Sequence, residues 1–169
     1  MALIKNGNTV ISFAEYQDVV DQDQRIFDAN EGLTDDVVEL ALQRATERIL
    51  TKMRMTSWWK NYYVSRDSSL SYNTAADIPA LNANKIIDRM NDFKDLCVFT
   101  ALSEYILPNV ADFGNAESAE RQKMGYYTNR AEALFGELVT AGDWYDFDGS
   151  GAIASTEKSP GQYNLKRVR

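Results

Sequence analysis

Residues 146–157 of this 169-residue chain place Asp146, Asp148, Ser150 and Glu157 at the first, third, fifth and twelfth positions of a twelve-residue segment, with Gly151 at the sixth. Oxygen donors at that spacing suit a hard cation. Ca²⁺ takes about six to eight oxygens at about 2.3–2.6 Å, so ligands must come from alternate residues while the backbone curls round the ion. In that reading Asp146, Asp148 and Ser150 supply side-chain oxygens and the carbonyl of Ala152 is the seventh-position donor. Ala154 at the ninth position leaves its place to a water, and Glu157 closes the site with both carboxylate oxygens. Gly151 permits a turn that a side chain would obstruct. The spacing is that of an EF-hand loop.

The flanks do not complete an EF-hand. Pro160 and Gly161 follow Glu157 too closely for a long exit helix, Gly142 interrupts the helical pattern upstream, and the sequence holds no second loop of this kind. The expectation is a lone calcium clip that orders a tail, not a paired sensor. With three carboxylates its affinity belongs at the weak end of the range for such loops, about 10⁻⁴–10⁻³ M, which fills more readily outside a cell than inside. The plainer alternative is a solvated Asp/Gly/Ser turn that binds nothing.

The elements that would position this loop are helical, from residue 12 to about 140. Ser12 and Glu15 read as a capping box opening a short first helix through about Val20, and Asp21 to Glu31 as a polar connector closed by Gly32. Thr34 is a plausible N-cap, with Asp35 and Asp36 placed to complement the positive end of the next helix. In that helix Val38, Leu42, Ala45, Ile49 and Met53 recur at three- and four-residue steps, with Val37 and Leu50 widening the stripe. Residues 57–64 carry Trp58, Trp59, Tyr62 and Tyr63 and suit a short helix or a strand, between which periodicity does not choose. Their aromatics read as core or interface packing in preference to a base-stacking surface.

After a polar loop over 66–77, helical pattern resumes from about Asn84, becomes nearly all apolar at Leu96 to Leu102 and ends before Pro108. This is the expected central helix. Asn115 or Ser118 caps the last long helix, whose inward stripe is Met124, Tyr127, Ala131, Leu134 and Leu138. Beyond Gly142, Asp, Gly, Ser and Pro replace periodicity. The expected fold is therefore all-α: a bundle of about four main helices over residues 1–142, with 1–11 as an N-terminal arm. Residues 143–169 form an extended C-terminal arm containing the EF-hand-like loop.

Composition narrows the function. The chain is one domain's worth, 44% apolar and 25% charged, with no apolar run near the roughly 18 residues that span a bilayer. No signal-peptide h-region follows Met1, so synthesis in a cytoplasm without export by that route is expected, and no membrane partner. Cys97 is the one cysteine and sits in an apolar run, which suits a buried small hydrophobe. There is no histidine, which removes the commonest general base and transition-metal ligand. Without a phosphate-binding glycine loop, nucleophile elbow or zinc spacing, a non-enzymatic role is expected. The net charge of −7 disfavours non-specific nucleic-acid binding. Lys158, Lys166, Arg167 and Arg169 fall in the last twelve residues, which carry no acid, leaving an acidic body with a basic end. Such an end suits either phosphates or another copy's acidic surface, and Tyr163, Leu165, Lys166, Arg167, Val168 and Arg169 are its expected partner-binding residues.

The order of parts resembles the head-to-tail adaptor proteins of tailed bacteriophages, also called connector or head completion proteins. The likeness is carried by Ser12 to Tyr16 as a first short helix, and by Leu33 to Asp36 leading into Ala45 to Leu50. It continues in an apolar helix ending at Ala101 to Ile106 and in the late helix Tyr127 to Leu138. It spans roughly residues 10–142; the loop and the basic ending lie outside it. The resemblance implies a structural virion protein at the head–tail interface. Such a subunit joins neighbouring copies in a ring, twelvefold in most such particles, docks on the portal protein and offers a platform to stopper or tail proteins. DNA passes through its channel without sequence-specific binding. The alternatives weighed beside it are a stand-alone calcium-dependent protein-binding module and a carboxylate enzyme.

Overall fold

The chain begins with a hairpin. Strands β1 (Ile4–Asn6) and β2 (Thr9–Ser12) pair antiparallel, with Asn6 opposite Thr9, so Gly7 and Asn8 alone make the turn. Gly7 has φ 60°, and a glycine at the first of two turn residues is the arrangement whose twist matches the strands it joins. The computed structural model describes residues 3–158 except 68, 73, 113 and 115–117. Across them the protein is mostly helical, so an all-α fold is amended by this two-stranded sheet, and residues 4–12 are a hairpin where an arm was expected.

The first helices depart from the sequence reading in detail. Ser12 does not cap a helix; its hydroxyl donates to the Ala14 carbonyl at 2.6 Å, while Phe13 N–H donates to Thr46 Oγ1 at 3.1 Å. Helix α1 (Tyr16–Gln22) starts after Glu15, whose N–H donates to the Asp18 carboxylate at 3.0 Å. The capping pair is thus Glu15 with Asp18. A short α2 (Gln24–Ala29) replaces the expected polar connector because Ile26 is apolar and buried in it.

Helix α3 (Asp35–Arg54) buries Val38, Leu42, Ala45, Ile49 and Met53 as the periodicity requires. Val37 is 43% exposed and does not widen that stripe. Thr34 occupies the N-cap position without a side-chain bond, leaving Asp35 and Asp36 to complement the helix dipole. The aromatic segment is helix α4 (Ser57–Val64), capped by Thr56, whose hydroxyl accepts from Trp59 N–H at 3.3 Å.

Helix α5 (Met90–Ala101) buries Phe93, Leu96, Cys97, Val98 and Phe99 and is central, packed between α3 and α7 (Ala119–Ala141). It does not stop before Pro108. A π-helical turn, Leu102–Ile106, leads directly into α6 (Leu107–Val110), which contains the proline. Proline lacks an N–H and its ring crowds the carbonyl four residues back in a regular α-helix; here the turn before it is widened. Ser118 is the cap of α7, accepting from Arg121 N–H at 3.3 Å, and Gly142 ends that helix at φ 57° with its N–H on the Leu138 carbonyl.

The largest correction concerns residues 143–158, which are not an extended arm. Tyr145 bridges Ile86, Ile87 N–H donates to the Trp144 carbonyl at 3.1 Å, and Asp146 N–H donates to the Lys85 carbonyl at 2.9 Å. Trp144, Tyr145 and Phe147 are core residues. The Asp/Gly/Ser content of this stretch hid three aromatic side chains, each with about 150–250 Å² to bury. Residues 159–169, including Tyr163, Leu165, Lys166, Arg167, Val168 and Arg169, lie outside the described residues.

Candidate functional site

The acidic loop is held by an aromatic cluster. Phe147, its second residue, stacks on Tyr62 at 3.6 Å between centroids and 12° between planes, and faces Trp59 at 5.2 Å and 28°. Trp58 adds contacts to Phe147 at 5.2 Å and to Trp144 at 4.6 Å. Such pairs contribute about 0.5–1.5 kcal/mol each beyond the area they bury. Polar ring atoms are matched to backbone: Trp144 Nε1 donates to the Leu138 carbonyl at 2.8 Å, and Trp59 Nε1 to the Pro79 carbonyl at 2.7 Å. The Tyr145 hydroxyl accepts from Asn82 N–H at 3.2 Å. Trp58 Nε1 is buried without a partner. Because Phe147 is anchored, Asp146 and Asp148 on either side of it have fixed starting points.

The loop then folds around its own carboxylates. Asp146 Oδ1 accepts from the N–H groups of Gly149 at 2.7 Å and Ser150 at 3.2 Å, and Oδ2 from Gly151 at 2.7 Å. Gly149 and Gly151 stand at φ 79° and 82°, a left-handed backbone that turns these N–H groups inward and that other residues adopt only with strain. Glu157 reaches back across the loop, its Oε1 accepting from Phe147 N–H at 2.9 Å and Asp148 N–H at 3.1 Å. Its Oε2 accepts from Ala154 N–H at 2.8 Å. A single helical turn closes the segment, with Glu157 and Lys158 N–H both on the Ala154 carbonyl.

Burial divides the three acids. Asp146 and Glu157 are 4% and 1% exposed, whereas Asp148 faces solvent. Hydrogen bonds from Ser150 hold the Asp148 carboxyl below its usual range, and the charge of Lys85 adds to this. Lys85 Nζ donates to the Phe147 carbonyl at 2.7 Å and so sits against the loop without bonding its acids. Among the described residues no Lys or Arg forms an ion pair with Asp146, Asp148 or Glu157.

The oxygens fit a hard cation in spread and type. One carboxylate oxygen each from Asp146, Asp148 and Glu157 lie within 4.8 Å of one another. Oxygens sharing one Ca²⁺ lie at most about 5.2 Å apart, twice the longest usual bond. The structure thus brings together the three expected carboxylates. The other two expected donors satisfy each other, Ser150 Oγ donating to the Ala152 carbonyl at 3.0 Å, and rotation of that hydroxyl frees both.

Sequence reasoning missed the partners outside the loop. Tyr62 and Trp59 lie more than eighty residues from Phe147, and Lys85 sixty-two residues from it, so no local pattern links them. The signal that was present is the alternation of Trp144, Tyr145 and Phe147 with acids, which is too apolar for a solvated turn. The lone thiol is inert by comparison: Cys97 is fully buried 3.4 Å from Thr46 Oγ1, and burial pushes its pKa up to about 11. Compared with family models, curated proteins and solved structures, the chain matches none of them.

Proposed function

We propose that this chain is a structural subunit of tailed-bacteriophage particles, a ring-forming head-to-tail adaptor. It docks on the portal protein, extends the DNA channel and provides a platform for stopper or tail proteins. In this reading α1, α3, α5 with its continuation, and α7 are the four main helices of a bundle, and residues 146–157 are an EF-hand-like clip on it.

The observation that carries the proposal is the attachment of that clip. Residues 143–158 are pinned to α4 and to Lys85–Ile87, so the basic stretch that follows leaves from a defined point on the body. Residues 1–157 hold all 25 acidic side chains and 14 of the 18 basic ones, which suits a channel wall that must not retain DNA. Helices α3, α5 with its continuation and α7 fall in the order on which the resemblance rests, whereas of its first segment, Ser12 to Tyr16, only Tyr16 is helical.

Calcium is the second half of the proposal. Asp146 and Glu157 are buried, accept from backbone N–H groups and form no ion pair with a Lys or Arg among the described residues, an arrangement that a divalent ion suits. The carboxylates of Asp146, Asp148 and Glu157, with the Ser150 hydroxyl and the Ala152 carbonyl, are the donors. Bound Ca²⁺ stiffens the bend after which Lys166, Arg167 and Arg169 reach portal or neighbour.

Electron microscopy and protein analysis of purified particles test the adaptor: the chain is expected at the portal vertex, and its absence from every particle rejects the reading. Binding of the Asp146→Ala, Glu157→Ala variant to portal, with and without a chelator, tests the metal. Normal docking together with no calcium uptake by the unaltered protein rejects the calcium half and leaves the adaptor standing.

A further inference from the structure

We draw no further inference here: the strongest candidate, the groove of mixed polar and apolar lining between the first half of α3 and the π-helical turn, where Val37 and Leu40 stand exposed beside Tyr105, carries nothing because nothing in the structure shows what covers it.

Discussion

Two polar stretches, 66–77 and 146–157, are alike in composition and unlike in structure. Each contains the same local device: Ser69 N–H and hydroxyl bond Asp67, as Ser150 N–H bonds Asp148, and in both cases these bonds depress the aspartate's pKa. In the first stretch the aspartate carboxylates of the described residues bond no farther than three residues away, Thr74 with Asp77 being the other pair, although Arg54 reaches in from outside to the Ala76 carbonyl at 3.3 Å. In the second, Glu157 bonds residues nine and ten positions earlier, and Phe147 inserts between α4 rings. An aspartate followed by serine makes a turn; a distant carboxylate and a buried ring make a site.

The sharpest way to break that contrast is to remove the ring. Phe147→Ala is expected to lower unfolding free energy by about 3–5 kcal/mol, the usual cost of deleting a buried aromatic. Ser69→Ala is expected to leave the urea midpoint where it was, because nothing buried depends on it. A Phe147→Ala midpoint equal to that of the unaltered protein would show that Phe147 is not part of the core.

Next in size is the closing carboxylate. Glu157→Gln keeps the shape but surrenders the charged acceptor of three N–H groups, at about 1–3 kcal/mol in denaturant titrations. The unaltered protein should gain about 1–3 kcal/mol from 10 mM Ca²⁺, given a Kd of about 10⁻⁴–10⁻³ M, and the variant should gain nothing. Equal calcium responses would remove Glu157 from the ligand set.

Asp148 sharpens the comparison further because it is exposed. Asp148→Asn should leave the metal-free midpoint unchanged while weakening calcium binding at least about tenfold, the lower bound for loss of even an outer partner of a metal ligand. Isothermal titration beside Asp67→Asn, which should alter neither quantity, isolates the ligand effect from the shared turn.

The smallest expected effect is a bend in the acid limb of stability. Arg89 bonds Asp143, just ahead of the clip, and holds its carboxyl below the usual carboxylate range. The folded value lies below the unfolded one, so this contribution is present above pH about 4 and is lost as pH falls through the folded pKa. Arg89→Met should flatten the loss of thermal stability below about pH 4, with little change at pH 7 beyond the lost ion pair, which is partly exposed.

Much of the helical body was legible beforehand. The three- and four-residue spacing in α3 and α7 and the apolar run of α5 each announce which face is buried, because a helix exposes its periodicity within a few turns of chain. Boundaries were less legible where a competing interaction intervened: Ser12 joined a hairpin, and Pro108 was accommodated by a π turn. For α4 the aromatic residues suited two elements, and burial of Trp58, Trp59 and Tyr62 against residues 144–147 favoured the helix.

By itself the sequence determined the chemistry available: hard oxygens at calcium spacing, an acidic body with a basic end, no imidazole, and helical stripes to fold around. Those properties reside in residue types and short-range spacing. Tertiary structure alone decided that Trp144, Tyr145 and Phe147 belong to the core and that Asp146 and Glu157 are buried while Asp148 is not. The physical reason is that burial and ring stacking depend on which distant segments meet, and such meetings leave no period along the chain.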